Sequence, residues 1–236
     1  MENIDAEANA RIARELAERH DVELLGFDAP GVDEHTVREI AAVLDDVLAR
    51  YPYIDLRQFA IAECPDHPTL FEWDWVAGDT GPALYTRRIV LDTAVAGNPD
   101  KFAEFIRAAT RSGDLAPGSD KRPVYSTIAR ELGHALDVAG GFRARRVAQK
   151  VLIAEYVRTH GDDSGNGFEA GLRADYRQWR AQISGYGFHS GRFDPGMAMA
   201  DAFAEVQVNG PAAGQPAKVL HRLLVETART TLAERS

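Results

Sequence analysis

Five residues in the middle of the chain, Arg130-Glu131-Leu132-Gly133-His134, are the ones whose types and spacing point to chemistry. On a helix, residues four apart lie one turn above each other. Two histidines at 130 and 134 would therefore hold one metal ion while the glutamate at 131 acts on its bound water. Glu131 and His134 stand in place, but position 130 holds arginine. A guanidinium has five N–H donors and no lone pair to give, so Arg130 cannot serve as the first ligand. It can bind a carboxylate through its planar fork and supply the positive charge that a metal would otherwise bring.

The segment from Tyr125 to Asp137 resembles the active-site helix of the zincin metallopeptidases. Its Gly133-His134-Ala135-Leu136-Asp137 tail is similar to a branch related to anthrax lethal factor and to the zincin-like domains of phage and toxin proteins. That branch carries a tyrosine-glycine pair ahead of a final helix of the form Glu-x-Phe-Ala-Glu. This chain has Ser184-Gly185-Tyr186-Gly187 and then Asp201-Ala202-Phe203-Ala204-Glu205. The resemblance implies Glu131 as general base, His134 as second zinc ligand, Tyr186 as the group steadying an oxyanion, Asp201 as carboxylate ligand, and a phage- or toxin-associated setting. Two ligand positions depart from the pattern: Arg130 replaces a histidine, and Asp201 is one methylene shorter than glutamate. The stretch Phe188 to Phe193 also lengthens the gap between Tyr186 and Asp201.

Without a metal, Glu131, Asp201 and Glu205 would converge as acids with no cation, and burying unpaired carboxylates costs several kcal/mol or forces them to take up protons. Arg130 is the expected replacement cation, the alternative being an arginine turned to solvent and paired with some other acid. Each remaining residue has a plain packing alternative: His134 as a histidine of the helix core, Glu131 as an inert acceptor, Tyr186 as half-buried packing. His189, just after Tyr186, is the speculative third ligand beside His134 and Asp201, and His67, His160 and His221 rest on similar grounds. No phosphate loop, dinucleotide fingerprint or nucleophile elbow occurs in the chain.

The formal net charge of −9 opposes non-specific attraction to nucleic acid or anionic lipid. Local basic groups, Arg143, Arg145, Arg146 and Lys150 in one place and Arg107, Arg111, Lys121 and Arg122 in another, read as solvated helix faces. Cys64 is the only cysteine, which rules out an intrachain disulfide and thiolate metal clusters. It reads as an ordinary thiol. No run of about 18 apolar residues is present and the N-terminus lacks a signal-peptide pattern, so a cytoplasmic location and no membrane partner are expected.

The elements that must position these residues follow from periodicity. Helices are expected over 3–19, as an arm or a packed first helix, and from Asp33 to Tyr51. Strand-like runs fall at 22–27, 58–63, 70–76 and 84–91, with Phe71, Trp73 and Trp75 facing one way and Glu72 and Asp74 the other. Helices then fit 99–112, 124–139, 143–160, 168–182, 197–209 and 216–233, and an Asp/Asn-lined calcium loop at Gly161 to Gly167 finds little support in its spacing. The expectation is one α+β domain over 1–236, zincin-like, with a helical arm at 1–20, a small mixed or mostly antiparallel sheet within 21–122, and a helical lobe over 123–236. The expected function is binding of a protein or extended peptide, with zinc peptidase activity impaired or lost and no cofactor. An active zinc metallohydrolase with a non-standard ligand set and a structural protein with a closed cleft are the alternatives.

Overall fold

In the computed structural model, which describes residues 2–64, 66–78, 81–160 and 168–234, the helical periodicity of the first fifty residues becomes two packed helices. Helix α1 (Glu2–His20) lies on α2 (Glu34–Arg50). Leu16 is buried between them, and Asn9 Nδ2 donates to the Val32 carbonyl at 3.3 Å, so the first helix belongs to the core and is not a free arm. Asp33 caps α2 by accepting from the Thr36 N–H at 3.1 Å. The buried stripe Val37, Ile40, Val43, Leu44 and Val47 joins the hydrophobic core, where α2 lies against α1 and the helix over Pro123–Ala139.

Among the described residues the main sheet contains β1 (Glu23–Leu25), β2 (Leu56–Ala62), β3 (Thr69–Gly78) and β4 (Gly81–Asp92), in the order β1-β2-β4-β3. β1 pairs with β2, and β2 with β4, in parallel, and only β3 runs antiparallel to its neighbour. The sheet is therefore mixed rather than mostly antiparallel. β2 and β4 carry unbroken buried runs, Phe59-Ala60-Ile61 and Ile89-Val90-Leu91, covered on both faces where a period of two was anticipated, while β1 at one edge is largely exposed. β3 is an edge strand. Only its first half reaches the helices, so Trp73 and Trp75, expected on a covered face, are 47% and 58% exposed.

A short helix α3 (Thr93–Gly97), which periodicity did not suggest, starts on an Asp92 cap and leads into α4 (Pro99–Ser112). The C-terminal region holds α5 (Pro123–Ala139), α6 (Ala148–His160), α7 (Phe168–Arg180), α8 (Pro195–Asn209) and α9 (Gln215–Ala233). Instead of one helix over 143–160, a 3-10 turn at Ala144–Arg146 precedes α6. The additional stretch after Tyr186 forms a hairpin of β5 (Phe188–His189) and β6 (Arg192–Phe193), turned through Ser190 and Gly191, both with positive φ. The proposed calcium loop at 161–167 lies outside the described residues.

The chain is thus a mixed α+β fold with most of its strands in the N-terminal region and helices in the C-terminal region. One hydrophobic cluster runs from Ala13 through the sheet and α5 to Ala228 in α9. Among the described residues, no helix is long and apolar enough to cross a membrane.

Candidate functional site: a cavity over Arg130

α5 carries the Arg130 to His134 segment, and its start is set by Pro123 at the first helical turn, where a missing N–H costs nothing. Ile128, Leu132, Ala135 and Leu136 bury its apolar side. Gly133 decides how closely α8 can approach. A Cβ on Gly133 would stand 3.0 Å from the Ala200 Cα, 3.1 Å from the Phe203 Cβ and 3.2 Å from the Ala200 carbonyl oxygen, so only glycine lets the two backbones come this near. α8 meets that demand with alanines at 198, 200, 202 and 204, and Asp194 fixes its first turn by accepting from Gly196 and Met197 N–H groups at 3.0 and 3.2 Å. The extra 188–193 residues are absorbed by the hairpin before this cap.

The close crossing brings Asp201 to Arg130. Arg130 Nε donates to Asp201 Oδ1 at 2.7 Å, and Nη1 donates to Glu131 Oε1 at 3.3 Å. Among the described residues its Nη2 meets only the Met197 sulfur, at 3.5 Å. The arginine is turned inward, 19% exposed at the side chain, and lies between acids that are 1% and 4% exposed. Of the two placements open to Arg130, the inward one therefore holds, and the fork is spread over both acids rather than docked bidentately on one.

Two further side chains, which the spacing of the motif could not reveal as partners, complete the arrangement. Ser184 donates to Asp201 Oδ2 at 2.5 Å and accepts from the Gly187 N–H at 3.1 Å, tying the acid to the loop that carries Tyr186. Thr69, the first residue of β3, donates to Glu131 Oε1 at 2.9 Å. Ser184 sits inside the Ser184-Gly185-Tyr186-Gly187 motif, which was a usable signal. Nothing in the sequence around Thr69 marked it.

Burial pushes the Asp201 carboxyl above its ordinary range, with Arg130 and Ser184 pulling it back, and burial does the same to Glu131 against Arg130 and Thr69. Arg130 responds oppositely: burial draws its pKa down, but Asp201 and Glu131 hold it above the usual value. His134 takes no part in this network. Its ring is tilted on Phe71 with centroids 5.5 Å apart, it makes no hydrogen bond among the described residues, and it does not border the cavity described below. Burial, together with the charges of Arg130 and Arg145, lowers its pKa to about 3, so it packs as a neutral ring between α5 and β3. Arg145 is held on the far side, donating to Asp137 Oδ2 at 2.5 Å and lying over the Phe142 ring.

Above Arg130 lies a cavity of about 410 Å³. Its floor is Arg130, Glu131 and Asp201, and its walls are largely apolar, with Ile106, Leu115, Met197 and Ala204. Tyr186 and Phe105 stand at its border, 47% and 54% exposed, and His67 beside them is exposed as well, so the space opens to solvent. The Tyr186 loop docks through backbone bonds from Gly185 N–H to the Gly113 carbonyl at 2.7 Å and from Tyr186 N–H to the Asp114 carbonyl at 3.1 Å.

Two expected participants are elsewhere. His189 is exposed in the β5–β6 hairpin, in register with Arg192, and does not border the cavity. Glu205 lies one turn beyond Asp201 and turns to the next helix, accepting from the Gly214 N–H at 2.7 Å ahead of α9. It supports that junction and not the cavity floor. His160 stacks on Tyr156, and His221 shares a contact with the Tyr51 hydroxyl at 3.2 Å and stacks on Phe203.

The donor set does not fit zinc. The place beside Glu131 and Asp201 is filled by a guanidinium without lone pairs, and His134 is engaged with Phe71. Among the described residues no three His, Cys, Asp or Glu side chains are grouped so as to hold a metal ion. What the arrangement can do is present a charged floor and largely apolar walls to a bound group. Comparison with known protein families, characterised proteins and solved structures finds no match to this chain.

Proposed function

We propose that this protein binds an extended peptide segment of a protein partner, and that it does so without zinc-dependent hydrolysis. The observation carrying this reading is Arg130 holding Asp201 at 2.7 Å and Glu131 at 3.3 Å on the floor of an open cavity, where a metal would have to sit for the peptidase chemistry suggested by the sequence. A cation that offers no coordination site to lower the pKa of a bound water keeps the acids buried while leaving the space above them free.

The sheet supplies the second half of the argument. β3 ends the strand order, so its outer edge has no strand beside it among the described residues, and its first residue, Thr69, borders the cavity. A peptide adding to that edge gains main-chain hydrogen bonds, and its alternate side chains fall toward the cavity. The closed-cleft alternative is disfavoured by the open space beside Ser126, Thr127 and Arg130.

The reading is tested by screening a library of extended peptides by fluorescence polarisation, with product analysis by mass spectrometry, in protein equilibrated with zinc and then desalted. The expected result is saturable binding that is lost when alternate peptide nitrogens are methylated, no cleavage, and metal content unaltered by His134→Ala. Stoichiometric zinc that His134→Ala removes, accompanied by cleavage, would overturn it.

A further inference from the structure

The floor of the cavity is unbalanced. Both acids are used as acceptors only: Asp201 takes donors on each oxygen, from Arg130 and Ser184, and Glu131 Oε1 takes Thr69 and Arg130. No hydrogen bond among the described residues reaches Glu131 Oε2, although the side chain is 96% removed from solvent, and that oxygen is not among the buried polar atoms sealed off without a partner. It is thus in reach of the cavity that Glu131 borders. Two carboxylates face one guanidinium, and Glu131, at 3.3 Å against 2.7 Å for Asp201, is the less compensated of the two, with Oε2 its oxygen that receives no hydrogen bond among the described residues. Asp194, at the start of α8, adds to the negative field at Asp201. Around the floor the walls are apolar, with Ile106, Leu115 and Met197.

We infer that the cavity is a recognition pocket for a primary amine carried on an apolar stem, of the lysine side-chain type, with Glu131 Oε2 as the receiving atom. The apolar walls take the methylene stem, and the ammonium brings the second positive charge that the floor lacks. A carboxylate on the same stem would raise the unbalanced charge, and an alcohol would leave it as it is. The inference deepens the binding reading by naming what enters the cavity, and it rests on that reading only for the claim that the amine belongs to a peptide.

The test uses the full chain and three small probes of five carbons each, n-pentylamine, n-pentanol and pentanoate, with the ¹³C-labelled methionine methyls observed by NMR. Met197 borders the cavity and Met199 is fully buried, which gives a reporter and an internal control. The expected result is a saturable shift at Met197 with n-pentylamine, about tenfold tighter than n-pentanol, as one charge-assisted hydrogen bond implies. Pentanoate gives no saturable shift at the same site. Glu131→Gln removes the preference of amine over alcohol.

Equal binding of amine and alcohol in the unmodified protein, or tightest binding of pentanoate through the remaining Arg130 N–H groups, overturns the inference without any variant. Peptides that bind with no preference for lysine over norleucine overturn it while leaving the peptide reading standing. Amine binding at Met197 with no peptide bound by the library overturns the peptide reading and supports the pocket.

Discussion

Replacing Arg130 by methionine isolates the claim that this side chain serves as the cation of the site. The change keeps an unbranched apolar stem and removes the guanidinium from between Asp201 and Glu131, whose side chains are 1% and 4% exposed. Two opposite charges about 4 Å apart at an effective dielectric near 20 attract by about 4 kcal/mol. Breaking a buried pair by removing one partner costs roughly 3–5 kcal/mol, since the surviving charge is left without compensation. The same figure carries a pH signature. Burial already holds both carboxyls above their ordinary range, and losing Arg130 raises them further. Between the unfolded carboxylate values and those raised ones, the folded variant binds protons that the unfolded chain does not, so its stability falls as pH rises through that window. Urea unfolding of parent and variant from pH 5 to 8 should show a deficit of about 3–5 kcal/mol at pH 8 that shrinks toward pH 5, with Asp201→Asn added to the variant recovering part of it. A deficit below about 1 kcal/mol at pH 8, or one indifferent to pH, would refute the argument that Arg130 neutralises the buried acids.

Three other outcomes follow from the same geometry. Gly133→Ala gains helix propensity of about 1 kcal/mol but sets a Cβ 3.0 Å from the Ala200 backbone, so a net loss of roughly 1–2 kcal/mol in thermal or urea unfolding is expected; an unchanged or raised stability would mean that the α5–α8 crossing is not set by this residue. Ser184→Ala strips Asp201 Oδ2 of its donor and should cost about 1–3 kcal/mol while weakening n-pentylamine binding, because the loop bearing Tyr186 loses its tie to α8; full retention of both would separate the loop from the site. His134 is held at a pKa of about 3, below its ordinary 6.5, so between those values the unfolded chain takes up a proton that the folded chain refuses, and stability falls on acidification by roughly 1.4 kcal/mol per pH unit from this group. His134→Gln should flatten the slope of stability against pH between 6 and 4 by about that amount, and an unaltered slope would show that the ring is not a buried neutral one.

The helices of this chain were legible because their signals are local. Asp33 before α2, Asn98-Pro99 before α4 and Pro123 before α5 announce starts within one turn, and the spans expected from them lie within a residue or two of those observed. The sheet was harder because strand pairing is decided between segments far apart in sequence. Phe59-Ala60-Ile61 carries the same apolar run whether its neighbour is parallel or antiparallel, and the exposure of Trp73 and Trp75 follows from β3 being an edge, which its own alternation cannot tell. The candidate site divides in the same way. Arg130 and Glu131 were read from type and spacing and Asp201 from the resemblance, and the structure joins them. Thr69 is 62 residues from Glu131, and its hydroxyl finds that carboxylate only after the sheet has formed. Glu205 shares the Asp201 helix face at a spacing of four and so looked like a partner, yet the Gly214 amide ahead of α9 claims it.

The arrangement also explains how a site built from buried acids can persist without a metal. A lone Glu131 and Asp201 in this environment would either stay protonated or destabilise the fold, because each is removed from water by the α5–α8 crossing that Gly133 permits. Arginine at position 130 is placed to answer both at once, since residues 130 and 131 share α5 and its long side chain reaches across to α8. Lysine carries its three donors on a single nitrogen, whereas the guanidinium reaches Asp201 from Nε and Glu131 from Nη1. One guanidinium thus serves two acids, and Glu131 Oε2 is left without a hydrogen bond among the described residues. Arginine at 130 offers no lone pair to a metal, and the Glu131 oxygen it leaves without a hydrogen bond, on a residue bordering a largely apolar space, is the feature a cationic ligand can use.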